Sequence, residues 1–465
     1  MKIEQIYTGC LAQGAYYIES DGEVAIIDPL RETATYLDKA KNENANVKYI
    51  FETHFHADFV SGHVDLASKT GAKIIYGPNA QTSYDIHIAN DGEEFILGKV
   101  KLKALHTPGH TLESTSYLLL DEKGNPHALF SGDTLFIGDV GRPDLAQKGD
   151  TTQEDLAGML YDSLRSKIMT LPDHVIVYPA HGAGSACGKN MSKETSDTLG
   201  NQKRFNYALR ADMSRDEFIK EVTDGLLPPP QYFAQNVAMN KSGAKGLDEV
   251  IATGNIPLDV ATFEAMANHE GAMVLDTRSP KEFIENHVPN SIFIGLDGSF
   301  APWVGALIKD LSQPIIFIPP AGRSEEVITR LSRVGYDNTL GYLDGGIASW
   351  IKAGKDTDSI ESIDAETFAD RYAQGGINVL DVRKASEYSN GHVADAINFP
   401  LDFINSNMDQ ISKEQHYHIH CAGGYRSVIA ISILKARGYH DVIDVAGGYK
   451  DIKITDIPKV DPVME

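Results

Sequence analysis

Short apolar runs that end in polar loops recur along the first half of the chain, at residues 24–28, 49–52, 73–76 and 175–178. Helical patterns lie between these runs, the longest of them over residues 151–169. Strands that end in polar loops and alternate with helices are typical of α/β folds. A polar helical region is predicted over residues 189–220, and three prolines at 228–230, which cannot lie inside a helix, mark its end.

The second half of the chain repeats itself, and the repeat predicts two related domains. Residues 275–278 (Leu-Asp-Thr-Arg) return 105 positions later as Leu-Asp-Val-Arg, whereas Arg323-Ser324 returns 103 positions later as Arg426-Ser427. Each copy reads as a helix, a buried strand, a loop, an apolar strand, another loop and a helix. This order predicts two small parallel sheets flanked by helices, related by duplication, with small differences in length between the copies.

Four clusters rich in histidine and aspartate lie at predicted strand ends, at residues 53–63, 106–111, 131–134 and 179–182. A lone histidine is usually structural, but every buried imidazole or carboxylate needs a partner. Four such clusters in this order are therefore hard to place in an ordinary core. Because open α/β sheets gather their sites at strand ends, the clusters predict one metal site.

The order of these clusters resembles the metallo-β-lactamase superfamily, whose HxHxDH signature precedes single His, Asp and His ligands. The likeness covers about the first 240 residues and departs at one position, where Phe59 replaces the final histidine of the signature. In dinuclear zinc hydrolases that histidine binds the second metal, and a phenyl ring has no lone pair to donate. The departure favours a single metal.

One metal held by two histidines and one aspartate is the facial triad of non-haem Fe(II) oxygenases, which leaves positions open for substrate and O₂. The persulfide dioxygenase branch of the superfamily uses this arrangement. The resemblance implies one Fe(II) per chain, held by His54, His110 and Asp133. His56, Asp58 and His181 would then orient the ligands or face the substrate. Alternatively, His56 also ligates and the site is a three-histidine zinc site.

Two further features of the first domain are candidates for site residues. The stretch 136–144 is similar to the FxGxxGRxD motif of persulfide dioxygenases. In this motif the planar guanidinium of Arg142 can donate hydrogen bonds, and the Asp144 carboxylate can accept them. The alternative without a role at the site is that Arg142 and Asp144 form an ion pair that only stabilises the loop. Cys187 follows His181 by six residues, and we weigh a persulfide relay near the metal equally with an ordinary free thiol. Cys10 is interpreted as structural.

A second candidate site surrounds Cys421, at the end of a predicted strand over residues 416–420. A helix is predicted from Val428, after a Gly-rich loop formed by Ala422, Gly423, Gly424, Tyr425, Arg426 and Ser427. Backbone N–H groups and the helix dipole favour negative charge there, by roughly 0.3–1 kcal/mol. The same features lower a thiol pKa, and Arg426 adds a cation, so the pattern predicts a nucleophilic thiolate rather than an inert cysteine.

This loop, together with Asp381-Val382-Arg383 and Gly391-His392-Val393, resembles the rhodanese family. The resemblance implies that the Cys421 thiolate accepts a sulfane sulfur and passes it on; tyrosine phosphatases use a related but longer loop. In the first copy the equivalent loop, residues 318–324, is shorter and lacks cysteine. That copy resembles a degenerate rhodanese domain, for which spacing, docking or oligomer contacts are the expected roles.

Composition narrows the range of partners. The formal net charge of −23 disfavours nucleic acid and anionic membranes, and no stretch approaches the roughly 20 apolar residues of a membrane span. Three cysteines, Cys10, Cys187 and Cys421, give no disulfide framework and fit a reducing cytoplasm. The expected partners are a low-molecular-weight persulfide (of glutathione, coenzyme A or a similar thiol), O₂, sulfite and thiosulfate. We expect a cytoplasmic homo-oligomer.

Together these patterns predict an α/β protein: a metallo-β-lactamase αββα sandwich followed by two rhodanese-like α/β domains. The expected bounds are 1–245, 255–356 for the degenerate copy and 360–460 for the active copy. The resemblances imply iron-dependent oxidation of persulfides to sulfite and thiol, coupled to sulfane-sulfur transfer through Cys421 in sulfide detoxification. The alternatives are a dinuclear zinc thioester hydrolase of the glyoxalase II kind with a sulfurtransferase, and a non-enzymatic sulfur carrier.

Overall fold

The structure is a computed structural model that describes residues 1–147, 151–269 and 271–461. The chain divides into two compact units, one formed by Met1–Glu249 with Ser332–Gly335, the other by the rest of the described chain. Among the described residues, every helix is too short or too polar to cross a membrane.

The first unit contains two six-stranded sheets that face each other. The first sheet contains β1 (Lys2–Thr8), β2 (Gln13–Ser20), β3 (Glu23–Ile27), β4 (Asn46–Phe51), β5 (Lys73–Tyr76) and β6 (His87–Ile88), in chain order. The second contains β7 (Glu94–Leu97), β8 (Val100–His106), β9 (Thr115–Leu120), β10 (Pro126–Gly132), β11 (Ile176–Pro179) and β12 (Asp197–Thr198), also in chain order. Side chains of both sheets, such as Phe51 and Phe130, share one buried core.

Helices cover the outer faces of both sheets. They are α1 (Thr33–Asn42), α2 (His63–Thr70), α3 (Gln153–Ser163), α4 (Leu199–Phe205), α5 (Arg215–Thr223) and α6 (Phe233–Ser242); α7 (Leu247–Gly254) spans the boundary between the two units. Tyr36 and Leu66 on α1 and α2 pack against the first sheet, while Leu160 and Phe218 on α3 and α5 pack against the second. Helices α1, α3 and α5 each bury an apolar side, and the result is the predicted αββα sandwich.

The second unit begins with a five-stranded parallel sheet in the order β13-β17-β16-β14-β15. Its elements are β13 (Pro257–Leu258), α8 (Val260–His269), β14 (Met273–Asp276), α9 (Pro280–Glu285), β15 (Ile292–Phe293), α10 (Phe300–Leu307), β16 (Ile315–Ile318), α11 (Ser324–Arg333), β17 (Thr339–Leu343) and α12 (Gly346–Lys352). Buried Phe263, Ile316 and Trp350 form its core.

The second copy has the same parallel order, β18-β23-β22-β19-β21, which the duplication predicts. Its elements are β18 (Glu361–Ile363), α13 (Ala365–Gln374), β19 (Asn378–Asp381), α14 (Ala385–Ser389), β20 (His392–Val393), β21 (Ile397–Asn398), β22 (Tyr417–His420), α15 (Tyr425–Ala436), β23 (Val442–Val445), α16 (Gly448–Ile452) and β24 (Lys459–Val460).

Two predicted helices have different bounds in the structure. The region 189–220 is irregular as far as β12 and α4, and only residues 199–205 and 215–223 are α-helical, because Ser214 and Glu217 form a capping box that starts α5. The helix after Cys421 begins at Tyr425 rather than Val428, since Gly424, with a φ of 92°, makes the turn into it.

Candidate functional site

The candidate metal cluster lies where strands of both sheets end. His54 follows β4, His110 lies in the loop between β8 and β9, and Asp133 directly follows β10. All three are at most 2% exposed. Their ligand atoms lie within 4.8 Å of one another, so the structure brings together the three residues that the sequence predicts as ligands.

Hydrogen bonds fix both imidazoles in the tautomer that a metal needs. The Thr53 hydroxyl donates its only proton to Asp28 Oδ2 (2.9 Å) and therefore accepts from His54 Nδ1 (2.9 Å). The carbonyl of Arg142 can only accept, so His110 Nδ1 donates to it (2.8 Å). Both rings therefore carry their lone pair on Nε2.

Asp133 completes this convergence. Its Oδ2 lies 3.8 Å from His54 Nε2 and 3.4 Å from His110 Nε2, is buried, and has no hydrogen-bond partner in the described chain. Burial alone would raise the pKa of this carboxyl, but His181 and His54 outweigh burial and hold that pKa well below its usual range. A buried anionic oxygen facing two imidazole lone pairs fits a divalent metal ion.

His56 lies outside this convergence, although it belongs to the same motif. Its Nε2 is 3.0 Å from Asp28 Oδ1 and 3.6 Å from Glu52 Oε2. Its ring stacks on Phe59, with centroids 4.3 Å apart. Phe59 lacks a ligand atom, and its phenyl ring also packs against the ring of His56. In this position the Nε2 of His56 faces the carboxylates of Asp28 and Glu52 rather than the candidate ligands.

His181, Asp58 and Cys187 form a second group beside Asp133. His181 Nδ1 hydrogen-bonds to Asp133 Oδ1 (2.8 Å), and its Nε2 forms an ion pair with Asp58 Oδ2 (2.8 Å). Burial would lower the pKa of His181, but these two carboxylates raise it well above its usual range. The Cys187 thiol belongs to the same cluster, and burial with Asp58 raises its pKa, which disfavours the thiolate that a relay needs.

Arg142 is bound on all sides. Its guanidinium donates to both carboxylate oxygens of Asp144 (2.6 and 2.7 Å) and to the carbonyls of Ala186 and Leu227. The preceding Gly141 packs so closely that a Cβ there would lie 2.0 Å from Asp133 O and 3.0 Å from His110 Nδ1. The loop of residues 136–144 is therefore packed against the candidate ligands Asp133 and His110. The Arg142–Asp144 ion pair lies within this loop and stabilises it.

The Cys421 loop directs one backbone N–H at the thiol. Cys421 directly follows β22, and its Sγ accepts from the Gly424 N–H (3.1 Å) and lies 3.7 Å from Ser427 Oγ. The other predicted loop residues, Ala422, Gly423, Tyr425 and Arg426, complete the turn into α15. Arg426 differs from expectation, because its guanidinium is paired with both oxygens of Glu387 (2.6 and 2.8 Å) rather than presented alone.

The sequence interpretation missed four residues around the two sites. Asp28 and Glu52 hold Thr53 and His56, and each stands at a strand end that the apolar pattern located. Glu387 pairs with Arg426, and its place in the repeat, matched by Glu282, gave no sign of this role. Trp303, from the cysteine-free copy, lines a cavity with Cys421, and no motif pointed to it.

The fold and the two sites define an enzyme of the metal-dependent hydrolase or dioxygenase type that carries rhodanese-like domains. The Metallo-beta-lactamase superfamily profile matches residues 8–181, and the Rhodanese-like domain profile matches residues 259–353 and 364–455. The chain belongs to the metallo-β-lactamase superfamily and joins this domain to two rhodanese-like domains, as both resemblances predict.

The relatives include a persulfide dioxygenase, a probable hydroxyacylglutathione hydrolase and a metallo-beta-lactamase. The human mitochondrial persulfide dioxygenase is 31% identical over 47% of this chain and 78% of its own length. A probable hydroxyacylglutathione hydrolase of Schizosaccharomyces pombe is 28% identical over 41% of this chain and 79% of its own. The crystal structure of a metallo-beta-lactamase from Staphylococcus aureus is 31% identical, with a TM-score of 0.64, and covers 74% of this chain and 98% of its own.

Proposed function

We propose that the first unit oxidises low-molecular-weight persulfides with O₂ at a single iron ion held by His54, His110 and Asp133. The products are sulfite and the free thiol, one O₂ being consumed for each persulfide. The observation that carries this proposal is the set of two imidazole lone pairs and one unpartnered carboxylate oxygen, with His56 directed elsewhere. Two histidines and one carboxylate with open positions suit non-haem iron.

Iron in this site would supply O₂ activation and a Lewis-acidic anchor for the substrate sulfur. The protein's own residues keep the ligands in place: Thr53 and the Arg142 carbonyl orient the two rings. His181 holds a proton between Asp133 and Asp58, beside the ligand cluster. Burial of these groups excludes bulk water, which protects a reactive sulfur species from side reactions.

The dinuclear zinc hydrolase is the second candidate, because hydroxyacylglutathione hydrolases are among the relatives. Asp58 and His181 form an ion pair over 2.8 Å. Phe59 removes the usual histidine, and His56 is held by Asp28. These contacts favour the mononuclear site.

Paired substitutions test the ligand set. We expect His110→Asn to lose the iron and at least about a hundredfold of the O₂ uptake with glutathione persulfide, since an iron ligand is gone. His56→Asn is the matched control and should keep one iron per chain. Equal loss of iron in both variants would support the three-histidine site instead.

We further propose that Cys421 takes a sulfane sulfur from a donor, carries it as a persulfide, and either delivers it to the first unit or passes it to sulfite, which leaves as thiosulfate while the Cys421 thiolate is regenerated. The relay role of Cys187 stays a prediction, and the raised pKa of its thiol is the observation against it. If Cys187→Ala keeps full O₂ uptake and full thiosulfate output, the relay hypothesis is wrong.

A further inference from the structure

The cavity over Cys421 is built by both rhodanese-like copies. It has a volume of about 340 Å³ and is lined by Ser299, Trp303, Cys421, Gly423, Tyr425 and Arg426. The first two of these residues belong to the cysteine-free copy, at the start of α10. The copy that lost its own thiol therefore forms one wall of its neighbour's site.

Tyr425 fixes the two copies to each other at this cavity. It stands inside the Cys421 loop, yet its hydroxyl donates to the Gly295 carbonyl of the first copy (2.8 Å). A Cβ on Gly298 would lie 2.3 Å from the Tyr425 ring, so the ring and the glycine backbone are in direct contact. The position of the wall is thus set by the catalytic loop itself.

The cavity has room for more than an inorganic donor. At roughly 30 Å³ for each water, about 340 Å³ would hold several times the volume of a five-atom ion such as thiosulfate. Volumes of about 300–1,000 Å³ are typical of sites for small organic ligands. Two aromatic side chains, Trp303 and Tyr425, line it, and aromatic walls bind carbon-rich groups better than they bind small dianions.

The polar groups of the cavity agree with an organic donor. Arg426 is already neutralised by Glu387, so a small dianion meets no free guanidinium. The Ser299 hydroxyl precedes α10 without capping it, which leaves that hydroxyl available to an amide or carboxyl group of a ligand.

We propose that the Cys421 site takes its sulfur from an organic persulfide of about tripeptide size, and that Trp303 of the cysteine-free copy binds the organic part of this donor. The Cys421 thiolate attacks the terminal sulfur of R–S–S–H, the new bond to Cys421 Sγ forms, and the S–S bond of the donor breaks. The electron pair leaves on R–S⁻, which takes a proton from solvent. No external oxidant is needed. The inference rests on sulfur transfer at Cys421.

The test compares two donors on the full chain without O₂, so that the metal site stays silent. Loading of Cys421 with one sulfur atom is followed by mass spectrometry in a single turnover, with Cys421→Ser as the blank. We expect Trp303→Ala to lower the loading rate constant at subsaturating glutathione persulfide roughly tenfold, since it removes an aromatic contact to the ligand. Loading from thiosulfate should stay within about twofold, and Trp303→Phe should restore most of the lost rate.

Trp350→Phe is the matched control, because Trp350 lies in the core of the same copy and should affect neither donor. Should Trp303→Ala not fold, Trp303→Leu keeps apolar volume without the ring and serves the same purpose. Equal losses with both donors, or no loss with either, would overturn the inference. If the wild-type chain loads sulfur from neither donor, the proposed transfer at Cys421 fails instead.

Discussion

The two rhodanese-like copies have similar cores, and one of their differences is the loop that carries the cysteine. Both have the same strand order. Each buries an Asp–Arg pair two residues apart, Asp276–Arg278 in the first and Asp381–Arg383 in the second. Each also stacks a histidine on an aromatic ring, with centroids 3.9 Å apart in the first copy and 3.6 Å in the second. The duplication has therefore kept the groups that hold the fold.

The loop after the central strand is where the copies differ. In the second copy Cys421 follows β22 and accepts a backbone N–H. In the first copy Pro319 stands at the corresponding place after β16, Pro320 follows it, and the loop is one residue shorter. Proline has no N–H to donate. The fold therefore persists without the cysteine, and the proposed sulfur transfer depends on this loop.

The largest effect is expected from removing the Cys421 thiol, which is the group that the first copy lacks. Cys421→Ser should lower sulfur transfer at least about a thousandfold, because the nucleophile is gone. O₂ uptake at the metal site should be retained. Persisting transfer, measured by sulfur loading of the protein, would contradict the assignment of Cys421.

Placing a thiol in the other copy is the reciprocal experiment. Pro319→Cys in a Cys421→Ser background should not restore transfer, since Pro320 and the shorter loop leave no equivalent anion cradle. Recovery of transfer above a tenth of wild type would show that the cradle is not required.

The shared ion pairs should matter equally in both copies. Asp276→Asn and Asp381→Asn each leave a buried guanidinium without its counter-charge, which costs about 3–5 kcal/mol of unfolding free energy. Hydrogen exchange of β14 and β19, read by mass spectrometry, measures each copy by itself. If only the second copy lost stability, the Asp276–Arg278 pair would not stabilise the first copy as Asp381–Arg383 stabilises the second.

The next effect is a pH dependence contributed by His418, which has no histidine counterpart in the first copy. His418 lies where the first copy has Ile316, is 1% exposed, and burial lowers its pKa from 6.5 to about 4. Between pH 6.5 and 4 the unfolded chain takes up a proton that the folded chain refuses, so stability falls as the pH drops. His418→Ile should remove roughly 1–3 kcal/mol of this fall. Urea unfolding at pH 7 and pH 4.5 checks it; identical acid sensitivity in both proteins would contradict it.

The smallest expected effect concerns the pair at the rim of the cavity. Glu387→Gln removes the carboxylate that occupies Arg426, so the KM for thiosulfate should fall about threefold, the scale of a partly exposed ion pair. Lys384→Gln, at the nearby helix start, is the charge-change control. A higher KM in Glu387→Gln would show that Glu387 is needed to position Arg426.

The fold could be predicted from the sequence because short stretches of the chain indicate its strands and its repeat. Apolar runs such as residues 73–76 coincide with strands, and the Leu-Asp-x-Arg repeat predicts two like sheets. Helix bounds were less accessible, because caps decide them: Gly424 starts α15 three residues before the apolar run.

The candidate sites were accessible as motifs but not as contacts. The metal cluster follows from His54, His110 and Asp133 at strand ends, yet the direction of His56 depends on Asp28 and Glu52, which are distant or unremarkable in sequence. Trp303 comes near Cys421 only because two domains pack together, and a single chain pattern does not encode that juxtaposition.

O₂ consumption is the most direct test of the central claim. The full chain is loaded with iron anaerobically, its metal content is counted, and glutathione persulfide is added in an oxygen-electrode cell. The account predicts one iron per chain, one O₂ consumed for each persulfide, and sulfite as the first product. A chain that binds two zinc ions, leaves O₂ untouched and hydrolyses a glutathione thioester would contradict it.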